Sequence, residues 1–270
     1  MSGSERREPS DAVRERRRMV IALSLSVVLI AIAVLVVGYV SGADPAVAGS
    51  STSSGDEATK TPRPAPEALP APATVASFDK AARSIDDPTS IWVVVNKLRP
   101  LNPQDYEPDD LVAVPVEHTW EPELRQEASD AVVAMFDAAR GEAGLELASN
   151  SAYRSYSAQE EVYDGDDLTT ARPGFSEHQT GLTMDIGASS GDCSLSECFA
   201  DTAEGAWLRD NAWRFGFIMR YPADKTDITG YSFEPWHYRY VGTELATEMH
   251  ETGFATLEEF FGLPAAPDYE

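Results

Sequence analysis

The chain has 270 residues, 43% of them hydrophobic and 9% aromatic, which is enough for one packed core with chain to spare. Its 45 acidic residues against 21 basic ones give a formal net charge of −24, so a nucleic-acid partner is excluded on charge and a solubilising acidic surface is the plain reading.

The first 18 residues form a basic arm with Arg6, Arg7, Arg14, Arg16, Arg17 and Arg18. An unbroken apolar run, 19–40, follows. At ~1.5 Å per residue it reaches roughly 33 Å, enough for a hydrocarbon core of ~30 Å. A cleaved signal peptide has a shorter apolar stretch of ~7–15 residues, so the length favours a retained transmembrane helix, although Ala46-Val-Ala48 offers a weak cleavage site. The arginines stay on the cytoplasmic side, which makes this a single-pass membrane protein with its remainder outside the cell. Beyond residue 40 that remainder carries 15 basic and 41 acidic groups.

Residues 41–76 are rich in Ser, Ala and Pro, with Pro62, Pro64, Pro66, Pro70 and Pro72 closely spaced. Such a segment buries too little apolar surface to offset its ordering entropy and reads as a disordered tether. Ser77-Phe-Asp-Lys80 fits the Ser-x-x-Lys pattern of penicillin-sensitive serine enzymes, but at a linker edge it reads as chance.

Residues 77–270 suit one extracytoplasmic domain. Residues 91–95 read as a buried strand and 111–116 as a short one. From Pro122 the apolar residues Leu124, Ala128, Val132, Met135 and Phe136 recur at helical spacing. Ser157-Ala-Gln-Glu160 has the form of a capping box and predicts a helix start. Cys193 and Cys198, alone in an outward-facing domain, predict a local disulfide; zinc binding by them lacks two further ligands. Thr202 is suited to cap a helix over 202–215 that Gly216 ends, and 217–219 reads as a strand. Short strands among amphipathic helices, without strict alternation, point to an α+β fold.

Two stretches carry chemistry. In Ser176-Glu-His-Gln-Thr-Gly-Leu-Thr-Met-Asp185, His178 and Asp185 are seven positions apart, so the chain must turn between them, and Gly181 is the place. Leu182, Met184 and Ile186 then alternate with Thr183 and Asp185 as a half-buried strand presenting Asp185 on its open face. In Glu234-Pro-Trp-His237, Pro235 forbids a helical pairing of Glu234 with His237, and the latter opens a second strand that can lie beside the first. His178, Asp185 and His237 make a three-ligand zinc set with one position left open, and Glu234 is the candidate base. His118 and His250 lie outside it.

Ser-Ala-Tyr-Arg-Ser at 151–155, the 176–185 stretch, Gly-Phe-Ile-Met-Arg-Tyr-Pro at 216–222 and Glu-Pro-Trp-His-Tyr-Arg-Tyr-Val-Gly at 234–242 resemble the VanY-type D-alanyl-D-alanine carboxypeptidases, zinc peptidases of the cell wall. Ala152 stands where many relatives carry glycine. The resemblance implies a small, mainly antiparallel sheet bearing one zinc ion with helices packed around it, the D,D-peptidase/hedgehog-like fold. It implies that Arg154, by itself an ordinary surface arginine, faces the substrate, and that Gln159, Ser176, Tyr231 and Trp236 contact it. The implied reaction is removal of the terminal D-Ala from a peptidoglycan pentapeptide stem; apart from the resemblance, the catalytic domain is expected to be monomeric. Two alternatives stand beside it: L,D-carboxypeptidase action on tetrapeptide stems, and a non-catalytic zinc-containing module that binds the wall.

Overall fold

The structure is a computed structural model and describes residues 78–270. The expected basic arm, transmembrane helix and linker lie outside the described residues, as does Ser77. Among the described residues no helix is long and apolar enough to cross a membrane.

The fold is α+β. Strands β1 (Leu111–Ala113) and β2 (Glu123–Arg125) form a small antiparallel pair that leads into helix α1 (Gln126–Ala138). Strand β3 (Leu147–Ser151) is followed by α2 (Tyr156–Val162), β4 (Thr183–Ala188), α3 (Ala203–Asn211), β5 (Phe217–Met219) and the single turn α4 (Thr226–Thr229). Strand β6 (His237–Tyr240) and helices α5 (Thr243–Thr252) and α6 (Leu257–Phe261) complete the domain. The main sheet has the order β3-β4-β6-β5, antiparallel throughout. Leu182, Met184 and Ile186 pack with Val132, Met135 and Phe136 of α1 in the core. Burial of these apolar side chains, at about 25 cal/mol per Å², is what holds helix to sheet.

The pairing of β4 with β6 sets Asp185 directly opposite His237 and Thr183 opposite Arg239. Directly opposed residues share a face with Cβ atoms ~5 Å apart, so strand register alone brings two of the expected ligands together. Gly181 makes the turn before β4 at φ 67°; a Cβ there would sit 2.9 Å from the Leu111 side chain.

Four expectations are corrected. Residues 91–95 are buried but form no strand: a turn at 91–92 runs into irregular chain over 93–95. Their carbonyls are taken by arginines: those of Ile91 and Val93 by Arg239 Nη2 (3.1 and 2.9 Å) and that of Val94 by Arg99 Nε (3.1 Å). The stretch from Pro122 opens as strand β2, because Val114 N–H takes the Pro122 carbonyl (2.9 Å) and β1 supplies the ladder; the helix starts at Gln126. Helix α2 is capped by Ser155, whose hydroxyl accepts from Ala158 N–H (3.2 Å), two residues ahead of the expected capping box. Finally, β4 has no open face: all its residues are buried. On the side expected to be exposed, Arg239, opposite Thr183, is bonded to segment 91–95, while Asp185 is buried at the base of a cleft.

Thr202 caps α3 as expected, accepting from Gly205 N–H (3.0 Å). Cys193 and Cys198 are joined in a disulfide just beyond β4.

Candidate active site

His178 sits on a 3-10 turn, Glu177–Thr180, ahead of β4. The segment leaving β3 holds it: the His178 Nδ1–H donates to the Ala152 carbonyl (2.7 Å), and the Arg154 N–H donates to the His178 carbonyl (3.2 Å). A carbonyl only accepts, so Nδ1 carries the proton and Nε2 presents a lone pair, 3.3 Å from Asp185 Oδ2. His237 is turned the other way. Its Nδ1 lies 3.4 Å from Asp185 Oδ1 and 3.3 Å from Glu234 Oε2, while Nε2 faces Glu177 Oε2. Glu234 is held across the bend at Pro235 by its own N–H, which donates to the Tyr221 carbonyl (3.1 Å), and by the His237 N–H on its carbonyl (3.2 Å).

These residues fit a small divalent cation. One ligand atom from each of His178, Asp185 and His237 can be chosen so that all lie within 4.8 Å of one another, and all three residues are buried. Bonds of ~2.0–2.1 Å at tetrahedral angles require ligand atoms about 3.3 Å apart. The His178–Asp185 and His237–Asp185 contacts, at 3.3 and 3.4 Å, have that spacing. Asp185 Oδ1 is buried without a hydrogen-bond partner, which leaves it free to ligate.

The electrostatics agree. Burial pushes the His237 pKa down, but Glu177, Glu234 and Asp185 outweigh it and carry it up to about 9, so the surroundings of this ring favour positive charge. Burial raises Glu234 above the usual carboxylate range, with Asp185 adding to the shift. For Asp185, burial is outweighed by His178, His237 and Arg154, and its carboxyl stays below the usual range.

The site opens into a cleft of about 370 Å³ lined by every expected substrate residue: Arg154, Gln159, Ser176, Tyr231 and Trp236. The Arg154 guanidinium donates to Gln159 Oε1 (2.8 Å) and Ser151 Oγ (3.2 Å). Gln159 is fully buried; its amide also donates to the Ala171 carbonyl (2.7 Å), so its side chain is already committed to aiming Arg154 and tying in a cleft loop. Tyr231 is buried with its hydroxyl 3.2 Å from that of Tyr269. His118 and His250 lie outside the cleft; His250 stacks on Trp213. Lys80 bonds the Phe260 carbonyl and lies over the Phe260 ring.

Residues 121–243 match the family model described as VanY: D-alanyl-D-alanine carboxypeptidase. YodJ of Bacillus subtilis (strain 168), provisionally named a carboxypeptidase, is 46% identical over 192 residues, 66% of this chain and 69% of YodJ. The chain belongs to the VanY family. Another relative, the D-alanyl-D-alanine carboxypeptidase of Enterococcus faecalis (strain ATCC 700802 / V583), is 41% identical over 144 residues; the match spans 47% of this chain and about half (51%) of the enterococcal protein. Among solved structures, the LdcB LD-carboxypeptidase shares 46% identity with a TM-score of 0.61, over 65% of this chain and 87% of LdcB. A VanY D,D-pentapeptidase from a VanB-type resistance cassette, solved with Zn(II), shares 34% identity with a TM-score of 0.53, over 64% of this chain and 98% of that one.

In this VanY-family chain the sequence did not disclose what stands behind the ligands. Glu177 Oε1 accepts from Arg220 Nε (2.9 Å) and Arg239 Nη1 (3.0 Å), and Glu258 grips Arg220 with both oxygens (2.9 and 2.7 Å). All four side chains are fully buried. A faint signal was present: Arg239 shares the strand face of His237, where a charge in a buried strand demands a partner.

Proposed function

We propose that this protein is a zinc-dependent carboxypeptidase that removes the terminal D-alanine from peptidoglycan pentapeptide stems. The observation that carries this is the convergence of His178 Nε2, Asp185 and His237 Nδ1 at ligand spacing with the Glu234 carboxylate against the same imidazole. Zinc held by these three residues supplies a positive charge that acidifies water and polarises a carbonyl. Glu234 takes the proton from the attacking water and delivers it to the departing amine. Arg154, fixed by Gln159 and Ser151, brings a guanidinium to the negative charge that develops on the substrate. The structure of VanYB in complex with D-alanine-D-alanine supports the substrate class.

L,D-carboxypeptidase action on tetrapeptide stems is the second reading, favoured by the 46% identity to LdcB. Pentapeptide and tetrapeptide offered separately, with released D-alanine and the shortened stem read by mass spectrometry, decide between the two. Loss of both activities with chelator and recovery with zinc is the expected result; turnover indifferent to chelator overturns the metal assignment.

The same proposal places the domain outside the cell, anchored through 19–40 and spaced from the membrane by 41–76. The Cys193–Cys198 disulfide supports an oxidising compartment. A carbonate-resistant membrane fraction that loses the domain to added protease in intact cells is the expected behaviour; release of the domain into the medium argues for cleavage instead.

A further inference from the structure

The floor of the cleft is polar and buried, yet its lining includes two side chains that face water: Val162, the last residue of α2, at 48% exposure, and Leu195, in the disulfide loop, at 50%. Only two other large hydrophobic side chains, Trp120 and Leu168, are this exposed among the described residues. Leu195 is also held in the left-handed region, φ 49°, inside the short loop that the Cys193–Cys198 bridge closes. A leucine there carries a steric penalty of roughly 1–2 kcal/mol that glycine or asparagine escapes. Turn bonds hold the loop on both sides of it, Ser194 N–H to the Gly191 carbonyl (3.3 Å) and Ser196 N–H to the Cys193 carbonyl (3.2 Å). Backbone strain and an apolar side chain in water both count against this residue in the free protein, and both are explained if the loop exists to present it.

A carboxypeptidase takes the end of its substrate to the reacting groups, so the rest of the peptide must leave through the mouth of the cleft. Buried Glu234, Asp185 and His178 mark the inner end, and Val162 and Leu195 mark the mouth. Building on the carboxypeptidase reading, we infer that Leu195, with Val162, is a specificity residue that packs against the aliphatic side chain of the residue preceding the two terminal D-alanines. The preferred substrate then carries several methylenes at that position.

The test uses acetylated X-D-Ala-D-Ala peptides in which X is norleucine or glycine, so that no charge enters the comparison with this acidic protein. Hydrolysis is measured with the zinc-loaded protein, and binding of the same peptides by calorimetry with its Glu234→Ala variant. About tenfold preference for norleucine is expected in both, the scale of burying a few methylenes. Leu195→Ser brings the preference to within about twofold of unity. Leu195→Asn does the same while raising the thermal midpoint, since asparagine suits the left-handed backbone; a purely structural leucine gives no such combination. An unchanged preference in both variants overturns the inference. Peptides that bind with the preference but are never cleaved sink the carboxypeptidase reading alone, and peptides that do not bind sink both.

Discussion

Glu177 Oε2 faces His237 Nε2 at 3.5 Å, and both atoms are buried with no hydrogen-bond partner of their own. The other oxygen of Glu177 is held by Arg220 and Arg239, so this carboxylate is fixed from behind and aimed at the ring. It favours a proton on Nε2 and thereby leaves Nδ1 as the donor atom for a metal.

Glu177→Gln should therefore weaken zinc binding by about 10- to 100-fold, measured by competition with a chromophoric chelator. It also leaves two arginines under-compensated in a buried place, and denaturant unfolding should show a loss of about 3 kcal/mol. Unchanged affinity would mean that the group behind the histidine does not orient it.

The same carboxyl predicts an acid response. Burial would raise its pKa, but Arg220 and Arg239 outweigh burial and hold it well below the usual glutamate range. A pKa depressed on folding stabilises above the unfolded value of ~4.3, and that contribution is lost as pH falls further. Metal-free protein should lose stability below about pH 4.5, and its advantage over Glu177→Gln should shrink between pH 5 and 3. A gap that stays constant across that interval contradicts the assignment.

Glu234→Gln keeps the shape of the side chain and removes its basicity. The turnover number should fall by about 10²- to 10⁴-fold while bound zinc, read by elemental analysis, is unchanged. Retained turnover would remove Glu234 from the chemistry.

Arg154→Lys gives up the planar fork that reaches Gln159 and Ser151 together. A fall of about 100-fold in kcat/KM is expected, the size of a lost donor to developing charge. Gln159→Ala, which frees Arg154 without removing it, should cost less, about tenfold. Equal losses would assign Gln159 a direct contact with substrate.

The metal set and its base could be read from local order because their chemistry is written locally: His178, Gly181 and Asp185 fall within eight residues, and Glu234, Pro235 and His237 within four. Alternation after Gly181 and from His237 onward marked two strands, and those strands are neighbours. Residues 91–95 and 122–125 went the other way: the carbonyls of Ile91 and Val93 go to Arg239, 148 and 146 positions along the chain, and the β1 ladder, reached through Val114 N–H on the Pro122 carbonyl, overrides the helical spacing after Pro122.

What the sequence by itself determined is the family, the candidate ligands and the candidate base, all carried by side-chain type at fixed short spacing. Tertiary structure alone decided which nitrogen each histidine offers, the commitment of Gln159 to Arg154, and the buried chain of charges from Glu258 through Arg220 to Glu177 and Arg239. Those charges lie up to 81 positions apart in the chain. An ion pair in a buried interior persists only where folding delivers a partner to the same point, and that delivery is a property of the packed sheet and helices as a whole.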